Sequence, residues 1–249
     1  MNLDIAKKEW FTEWFDSPFY HLLYQHRNEA EAHKFMRKLT SVVPLQPRSK
    51  VLDVACGKGR HAIFLHQRGL DVVGVDLSAE NIAFASQFAN DRLQFFRHDM
   101  RCEYPQKAFF DLALNLFTSF GYFDTDDEHL QALRAIANAL KKNGIFVLDF
   151  FNTPQVLKSL PNTVEKQIED VHFFIYKYFH DGFICKDIEV RCLGRIYYYQ
   201  EKVRAFDEKD FLELFQKVEL TPQALYGNYD LAPYEPFSSE RMIWMVEKR

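Results

Sequence analysis

The sequence predicts an α/β fold built on a parallel, doubly wound sheet, and three observations carry that prediction. Short apolar runs alternate along the first two thirds of the chain with segments whose apolar positions recur at helical spacing. The first apolar run, 50–54, turns through Ala55-Cys56-Gly57-Lys58-Gly59 straight into a helix-like segment, 60–68. The second, 71–75, ends in an acid, Asp76. Strand, glycine turn, helix, strand and acid make one βαβ unit.

The bulk numbers bound what can surround that unit. A chain of 249 residues accommodates one large α/β domain or one domain with an insertion. At 47% apolar and 27% charged it is globular, not disordered. The 25 Phe and 12 Tyr read first as an aromatic-rich core and second as the lining of a pocket. A net charge of −4 without a long basic run argues against a duplex-DNA surface and leaves RNA open. Cys56, Cys102, Cys185 and Cys192 show no CxxC spacing, as expected of a reduced, cytoplasmic protein. The segment MNLDIAKKEW reads as neither a signal peptide nor a membrane span.

In chain order, residues 1–44 form a helical arm. Trp10, Trp14 and Phe15 lie close together, Asp16-Ser17-Pro18 breaks the pattern, and Ser17 with Pro18 suits a helix start. Tyr20, Leu23 and Tyr24 then recur at helical spacing, a stripe that reads as core before ligand wall. Pro44 and Pro47 mark the loop before the first strand. After the βαβ unit, Ser78 caps a helix over about 79–89. Strands follow at 93–96 and 108–116, then a helix with the apolar face Leu130, Leu133, Ile136, Ala137 and Leu140. Lys141, Lys142 and Gly144 end that helix, and 145–150 is the fifth strand. Residues 164–204 change character: β-branched and aromatic residues with turns at Asp181-Gly182 and Leu193-Gly194 predict three or four antiparallel strands. This β insertion (156–204) reads equally as a lid or as a plain hairpin extension. Residues 45–155 and 205–249 make the core, the latter with a helix capped by Asp207 and two last strands at 218–226 and 241–246.

Gly57 and Gly59 let a ligand approach the backbone where the first strand hands over to its helix. Asp76 at the next strand end suits both hydroxyls of a ribose. Two ligand classes share these needs, and Gly57-x-Gly59-x-x-Ala62 formally satisfies the dinucleotide fingerprint. Asp53 in the strand points the other way: a carboxylate there repels a pyrophosphate and suits the ammonium of an amino-acid tail. Asp99-Met100 places an acid within reach of an adenine amino group. Tyr198-x-x-x-Lys202 has the spacing of a reductase pair, but it falls in the strand-like insertion and not on a helix.

Four motifs in order, DVACGKG at 53–59, VVGVDLS at 72–78, HDM at 98–100 and FDLALNLF at 110–117, resemble those of class I S-adenosylmethionine-dependent methyltransferases. The resemblance implies a Rossmann-like, seven-stranded mixed sheet whose last strand is antiparallel. It implies S-adenosylmethionine as cofactor, with Asp53, Ala55, Gly57 and Gly59 around the methionine moiety and Asp76 on the ribose. Leu77 would lie on the adenine face, Asp99 and Met100 at the adenine edge, and Asn115 and Leu116 beneath the methionine end. The fourth strand ends Asn115-Leu116-Phe117-Thr118, which departs from the Asn-Pro-Pro-Tyr/Phe type of enzymes that methylate planar nitrogens of bases or glutamine. With the aromatic arm and the β insertion, the general plan is similar to small-molecule types such as sugar-amine and glycine N-methyltransferases.

The expected activity is therefore N- or O-methylation of a small molecule by a monomer or homodimer. Transfer from a sulfonium is an in-line displacement on activated carbon, so alignment and exclusion of water matter most. An amine must first lose a proton, and a hydroxyl or carbon acid usually needs a base. Tyr24, Tyr122 and His61 are the candidate catalytic groups; Tyr20, Phe117, Tyr122 and Arg241 are candidates for the acceptor pocket. Tyr24 could roof the cofactor and Arg27 could meet its carboxylate. For Arg27 and Arg241 the plainer reading is a surface salt bridge, and for His61 a solvent-facing helix position. No cluster has metal-ligand spacing. A nicotinamide-dependent reductase and a non-catalytic cofactor-binding protein are the alternatives.

Overall fold

The computed structural model describes residues 9–24 and 29–249. The arm forms α1 (Trp10–Trp14), α2 (Pro18–Leu23) and α3 (Glu29–Val42). Ser17 starts α2 as its sequence suggests: its hydroxyl accepts from the Phe19 amide, and Pro18 fills a position whose N–H would have had no helical partner. Next come β1 (Lys50–Val54), α4 (Arg60–Gln67), β2 (Asp71–Asp76), α5 (Ala79–Ala85), β3 (Leu93–Arg97), β4 (Phe110–Asn115), α6 (Asp126–Ala139) and β5 (Leu140–Phe151). A short helix that the sequence reading does not contain, α7 (Thr153–Leu157), precedes β6 (Asn162–Ile168), β7 (Val171–His180), β8 (Phe183–Cys192) and β9 (Arg195–Arg204). The chain closes with α8 (Glu208–Lys217), β10 (Leu220–Tyr226) and β11 (Arg241–Lys248).

Seven strands form one sheet in the order β10-β11-β5-β4-β1-β2-β3, with β11 antiparallel to both neighbours. This is the mixed sheet expected from the sequence. The chain reverses its direction of travel across the sheet between β3 and β4, so the strand order switches at β1 and β4. A crevice opens at the carboxyl ends of strands at such a point.

Alternate residues of the strands feed two cores. Leu52 and Val54 of β1 pack with Leu133 and Ile136 of α6 and Phe211 and Phe215 of α8. Val51 packs on the other side with Phe35 and Leu39 of α3 and Leu65 of α4. Burial on both faces is why these strands read as unbroken apolar runs. Several strand ends shift by one or two residues from the sequence reading, and two boundaries differ by more. The helix before β3 ends at Ala85 and continues as a 3-10 turn, Ser86–Phe88. Strand β5 begins at Leu140, which pairs with Phe110; the register then slips, and Leu112 pairs with Ile145, so 141–144 bulge out with Asn143 left-handed.

Strands β6–β9 form a separate four-stranded antiparallel sheet in sequence order. Its inner face, with Val171, Phe173, Ile175, Ile188 and Val190, packs against Trp14 and Leu23 of the arm. The aromatic stripe is thus core where it meets the insertion, as expected. Its other members, Tyr20 and Tyr24, line a cleft together with Phe15.

Candidate functional site

A cleft of about 1330 Å³ lies at the carboxyl ends of β1, β2, β3 and β4, and is walled by the arm and the insertion. Its floor is the turn after β1. Ala55, Gly57 and Gly59 all have positive φ there. The two glycines serve different ends. A Cβ on Gly57 would meet nothing within 4 Å, so its absence leaves open space on the cleft side. A Cβ on Gly59 would fall 2.8 Å from the Phe95 ring, so Gly59 lets β3 pack under the start of α4.

Asp53 lies in β1 under this turn, 2% exposed, and its Oδ2 has no hydrogen-bond partner. Burial pushes its carboxyl up to about 7; a backbone hydrogen bond from Ala62 opposes the rise and the nearby Asp76 adds to it. A buried carboxylate oxygen without a donor is costly, and a cationic donor entering the cleft would relieve that cost. Asp76 accepts from the Gly57 amide at 2.8 Å and from the Ser78 amide at 2.9 Å, and the Asn81 side chain adds a further hydrogen bond. A carboxylate has about four acceptor sites, so capacity remains for a hydroxyl donor. Burial raises the Asp76 carboxyl as well. A floor with two buried carboxylates disfavours a pyrophosphate and suits an ammonium and a diol.

At the ends of β2 and β3, Leu77, Asp99 and Met100 all line the cleft. Both oxygens of Asp99 are held by Arg101, which also binds Glu9 and Glu128, at 2.6 Å to Asp99, 2.6 Å to Glu9 and 2.8 Å to Glu128. That guanidinium outweighs burial and holds the Asp99 carboxyl below its ordinary range.

The turn after β4 is strained and pinned. Phe117 and Thr118 are both left-handed, an arrangement that persists only where the surroundings enforce it. Asp149, fully buried at the end of β5, accepts from the Phe117 amide at 2.7 Å, from Tyr229 at 3.2 Å and from Arg241 at 2.8 Å. Arg241 also donates to the Thr118 hydroxyl at 2.9 Å. It is therefore a buried salt bridge at the cleft edge, not a surface one. Asn115 donates to the Val54 and Ser119 carbonyls, and its Oδ1 has no partner. Leu116 and Phe117 line the cleft, and the Tyr122 hydroxyl donates to the Thr118 carbonyl.

His61 is buried, not solvent-facing. It stacks on Phe117 with centroids 5.2 Å apart and ring planes 3° from parallel. Its Nε2 has no partner, and burial with the nearby Arg60 depresses it to about 3, so the ring stays neutral. On the opposite wall the Tyr24 hydroxyl donates to Glu201 at 2.8 Å, and Trp14 donates to the same oxygen at 2.8 Å. Lys186 binds the other Glu201 oxygen and donates to Tyr24 at 3.1 Å. Burial, with Glu201 beside it, raises the Tyr24 phenol, which stays protonated at neutral pH. This cluster ties arm to insertion over the cleft.

Residues 51–144 match a family model described as a methyltransferase domain. A glycine/sarcosine N-methyltransferase of Parasynechococcus marenigrum is 33% identical over 142 residues, 53% of this chain and 47% of that protein. A dTDP-3-amino-3,4,6-trideoxy-alpha-D-glucopyranose N,N-dimethyltransferase of Streptomyces venezuelae is 30% identical over 101 residues, 41% of this chain and 42% of that protein. The matched part thus spans about half the length of these curated relatives. An S-adenosylmethionine-dependent methyltransferase of Clostridium acetobutylicum superposes over 92% of this chain and 96% of its own, with TM-score 0.77 at 21% identity. At that identity the likeness speaks for the fold. Residues 51–144 thus match a methyltransferase domain, and the chain has the fold of the class I S-adenosylmethionine-dependent methyltransferases.

Of the residues that the four sequence motifs single out, the structure brings Asp53, Ala55, Gly57, Asp76, Leu77, Asp99, Met100 and Leu116 to one cleft. Gly59 and Asn115 support its floor from behind. The pocket candidates Tyr20, Tyr24, His61, Phe117, Tyr122 and Arg241 also line it, whereas Arg27 lies outside the described residues. Tyr198 is 72% exposed on β9, and Lys202 on the same strand pairs with Asp124 at 2.9 Å; neither lines the cleft. Sequence reasoning missed Asp149, Lys177, Lys186, Glu201 and Tyr229. Single charges or a phenol within β-rich segments carry no spacing signal. Strand pairing brings the four charges to the site, and the loop between β10 and β11 brings Tyr229. Among the described residues no group of His, Cys, Asp and Glu is set to hold a metal ion.

Proposed function

We propose that the protein transfers a methyl group from S-adenosylmethionine to a nitrogen or oxygen of a small molecule. The observation that carries this reading is the unpartnered, buried Oδ2 of Asp53 beneath the open space at Gly57. Asp53 would accept from the ammonium of the cofactor's amino-acid tail, and Asp76 would take the ribose hydroxyls on its remaining lone pairs. Leu77 and Met100 would bracket the adenine. When bound, the cofactor supplies an electrophilic methyl on a positively charged sulfur.

The chain's own part is placement. The arm and insertion cover the cleft and exclude water, and the Tyr24–Glu201–Lys186 cluster holds them together. The pinned turn at 117–118 fixes the floor on which an acceptor would lie. Neither His61, depressed to about 3, nor Tyr24, whose raised phenol stays protonated, serves as a base at neutral pH. An amine arriving neutral needs no base, and its proton leaves to solvent after the N–C bond forms and the C–S bond breaks. Two relatives matched over about half their length are named for N-methylation, which supports nitrogen ahead of oxygen. Four free thiols favour a cytoplasmic setting.

The test is release of labelled methyl from S-adenosylmethionine over a panel of amines, hydroxyls and carboxylates, beside an Asp53→Ala control. Turnover of one class, abolished in the control, supports the reading. Cofactor binding without transfer to any of them favours a binding protein, and NADH binding in place of the sulfonium favours a reductase.

A further inference from the structure

The inner face of the insertion sheet carries one polar row. Asn162, Lys177, Lys186 and Glu201 stand directly opposite one another across β6, β7, β8 and β9. Residues paired in this way point to the same face of a sheet, and all four line the cleft. One pair further along the same face stand Ile175 and Ile188, both buried, so the row interrupts an apolar surface.

The right half of the row is self-contained. Lys186 and Glu201 form an ion pair, and Trp14 and Tyr24 complete the carboxylate's shell. The left half is not. Among the described residues no carboxylate lies within ion-pair distance of Lys177, although it is half-buried and directly opposite a second ammonium. Both burial and Lys186 push its ammonium below the usual lysine range. Like charges set opposite across a sheet destabilise it. Next to it, Asn162 donates to the Ser159 carbonyl at 2.9 Å while its Oδ1 is buried without a partner. A cation without an ion-pair partner and an unpaired acceptor therefore sit side by side, open to the cleft, and the attraction of Glu201 two strands away only partly offsets the cost to the ammonium.

We propose that Lys177 and Asn162 are the docking point of the methyl acceptor, which carries an anionic oxygen group, carboxylate or phosphate, next to an O–H or N–H donor. The anionic group meets the Lys177 ammonium, and the donor meets Asn162 Oδ1. The inference rests on the methyl-transfer reading, since it assigns the acceptor half of the same cleft.

The test uses the full chain saturated with S-adenosylhomocysteine, the spent form of the cofactor. Calorimetry with inorganic phosphate and with 2-hydroxybenzoate separates a phosphate from a carboxylate preference, and 2-hydroxybenzamide is the neutral control. At least one anion binds saturably and the amide does not. Lys177→Met weakens that anion at least about tenfold, as expected for losing a charged hydrogen bond. Lys177→Arg keeps it within about threefold, because the charge stays. S-adenosylhomocysteine binds all three proteins alike, which also shows that each is folded. The proposal is overturned if neither anion binds the loaded protein, if Lys177→Met leaves anion affinity unchanged, or if the amide binds as well as the acid. A loss of S-adenosylhomocysteine affinity in Lys177→Met alone also overturns it, because the lysine then serves the cofactor. If S-adenosylhomocysteine does not bind the unaltered protein, the methyl-transfer reading fails and this inference with it.

Discussion

Replacing Asp53 by Asn separates the two consequences of burying a carboxylate under the glycine turn. In the ligand-free protein the Asp53 carboxyl sits near 7 against an ordinary 3.8. Each tenfold of proton affinity is about 1.4 kcal/mol, so the ionised group destabilises the fold by about 4 kcal/mol at full effect. The sign follows from linkage: the unfolded chain loses this proton first, so stability falls as pH rises through 3.8 and levels off above about 7. At about pH 5 the penalty is still under about 2 kcal/mol. Asp53→Asn keeps the shape and removes the charge. In urea unfolding it stabilises the ligand-free protein, and the gain over the unaltered protein grows by about 2 to 3 kcal/mol between about pH 5 and about pH 8. The same change removes the partner of the cofactor's ammonium, so affinity for S-adenosylhomocysteine falls by about 1.5 to 3 kcal/mol. A variant that is more stable and binds less is the expected signature. A stability gain that does not change with pH, or unchanged cofactor affinity, would refute the reasoning.

Gly57→Ala should cost only about 1 kcal/mol of stability for its left-handed backbone, yet weaken S-adenosylhomocysteine at least about tenfold by filling the space above Asp53. Gly59→Ala should destabilise more in thermal melts, since its Cβ meets the Phe95 ring at 2.8 Å. Glu201→Gln removes one partner of a buried ion pair and should cost about 3 to 5 kcal/mol at neutral pH. Lys186 holds the Glu201 carboxyl below its ordinary range, so this contribution is present above the normal carboxylate range and fades as pH falls through it; urea titrations at two pH values check both. Arg241→Met should be similarly destabilising, by about 3 to 5 kcal/mol, because it leaves the fully buried Asp149 unpaired. His61, depressed to about 3, should contribute no inflection to a rate profile near neutral pH; an inflection near pH 6.5 that vanishes in His61→Gln would contradict its placement.

The main sheet was legible because its signals are local. The glycine turn, Asp76 at a strand end, Ser17 before Pro18 and Asp207 before its helix each act through neighbours within a few residues. Where bonding is non-local, the sequence is silent. Leu140 joins β5 only because Phe110 lies beside it, so Lys141 and Lys142 read as a helix end and turn out to lie in a bulge. His61 opens an amphipathic helix and looks solvent-facing until Phe117, on a strained turn far along the chain, stacks on it. The row from Asn162 to Glu201 exists only through the register of four strands. The half of the cleft at the ends of β1 to β4 is built from short local motifs, so its position could be read in advance. The acceptor half is assembled from the arm, the insertion and β11, and could not.

The central claim is that the cleft holds the sulfonium cofactor through Asp53 and Asp76. Calorimetric titration of the unaltered protein with S-adenosylhomocysteine, and separately with NADH, tests it most directly. The account predicts one saturable site for S-adenosylhomocysteine, weakened by about 1 to 3 kcal/mol in Asp76→Ala, and no NADH binding. Tight binding of NADH with none of S-adenosylhomocysteine would contradict it.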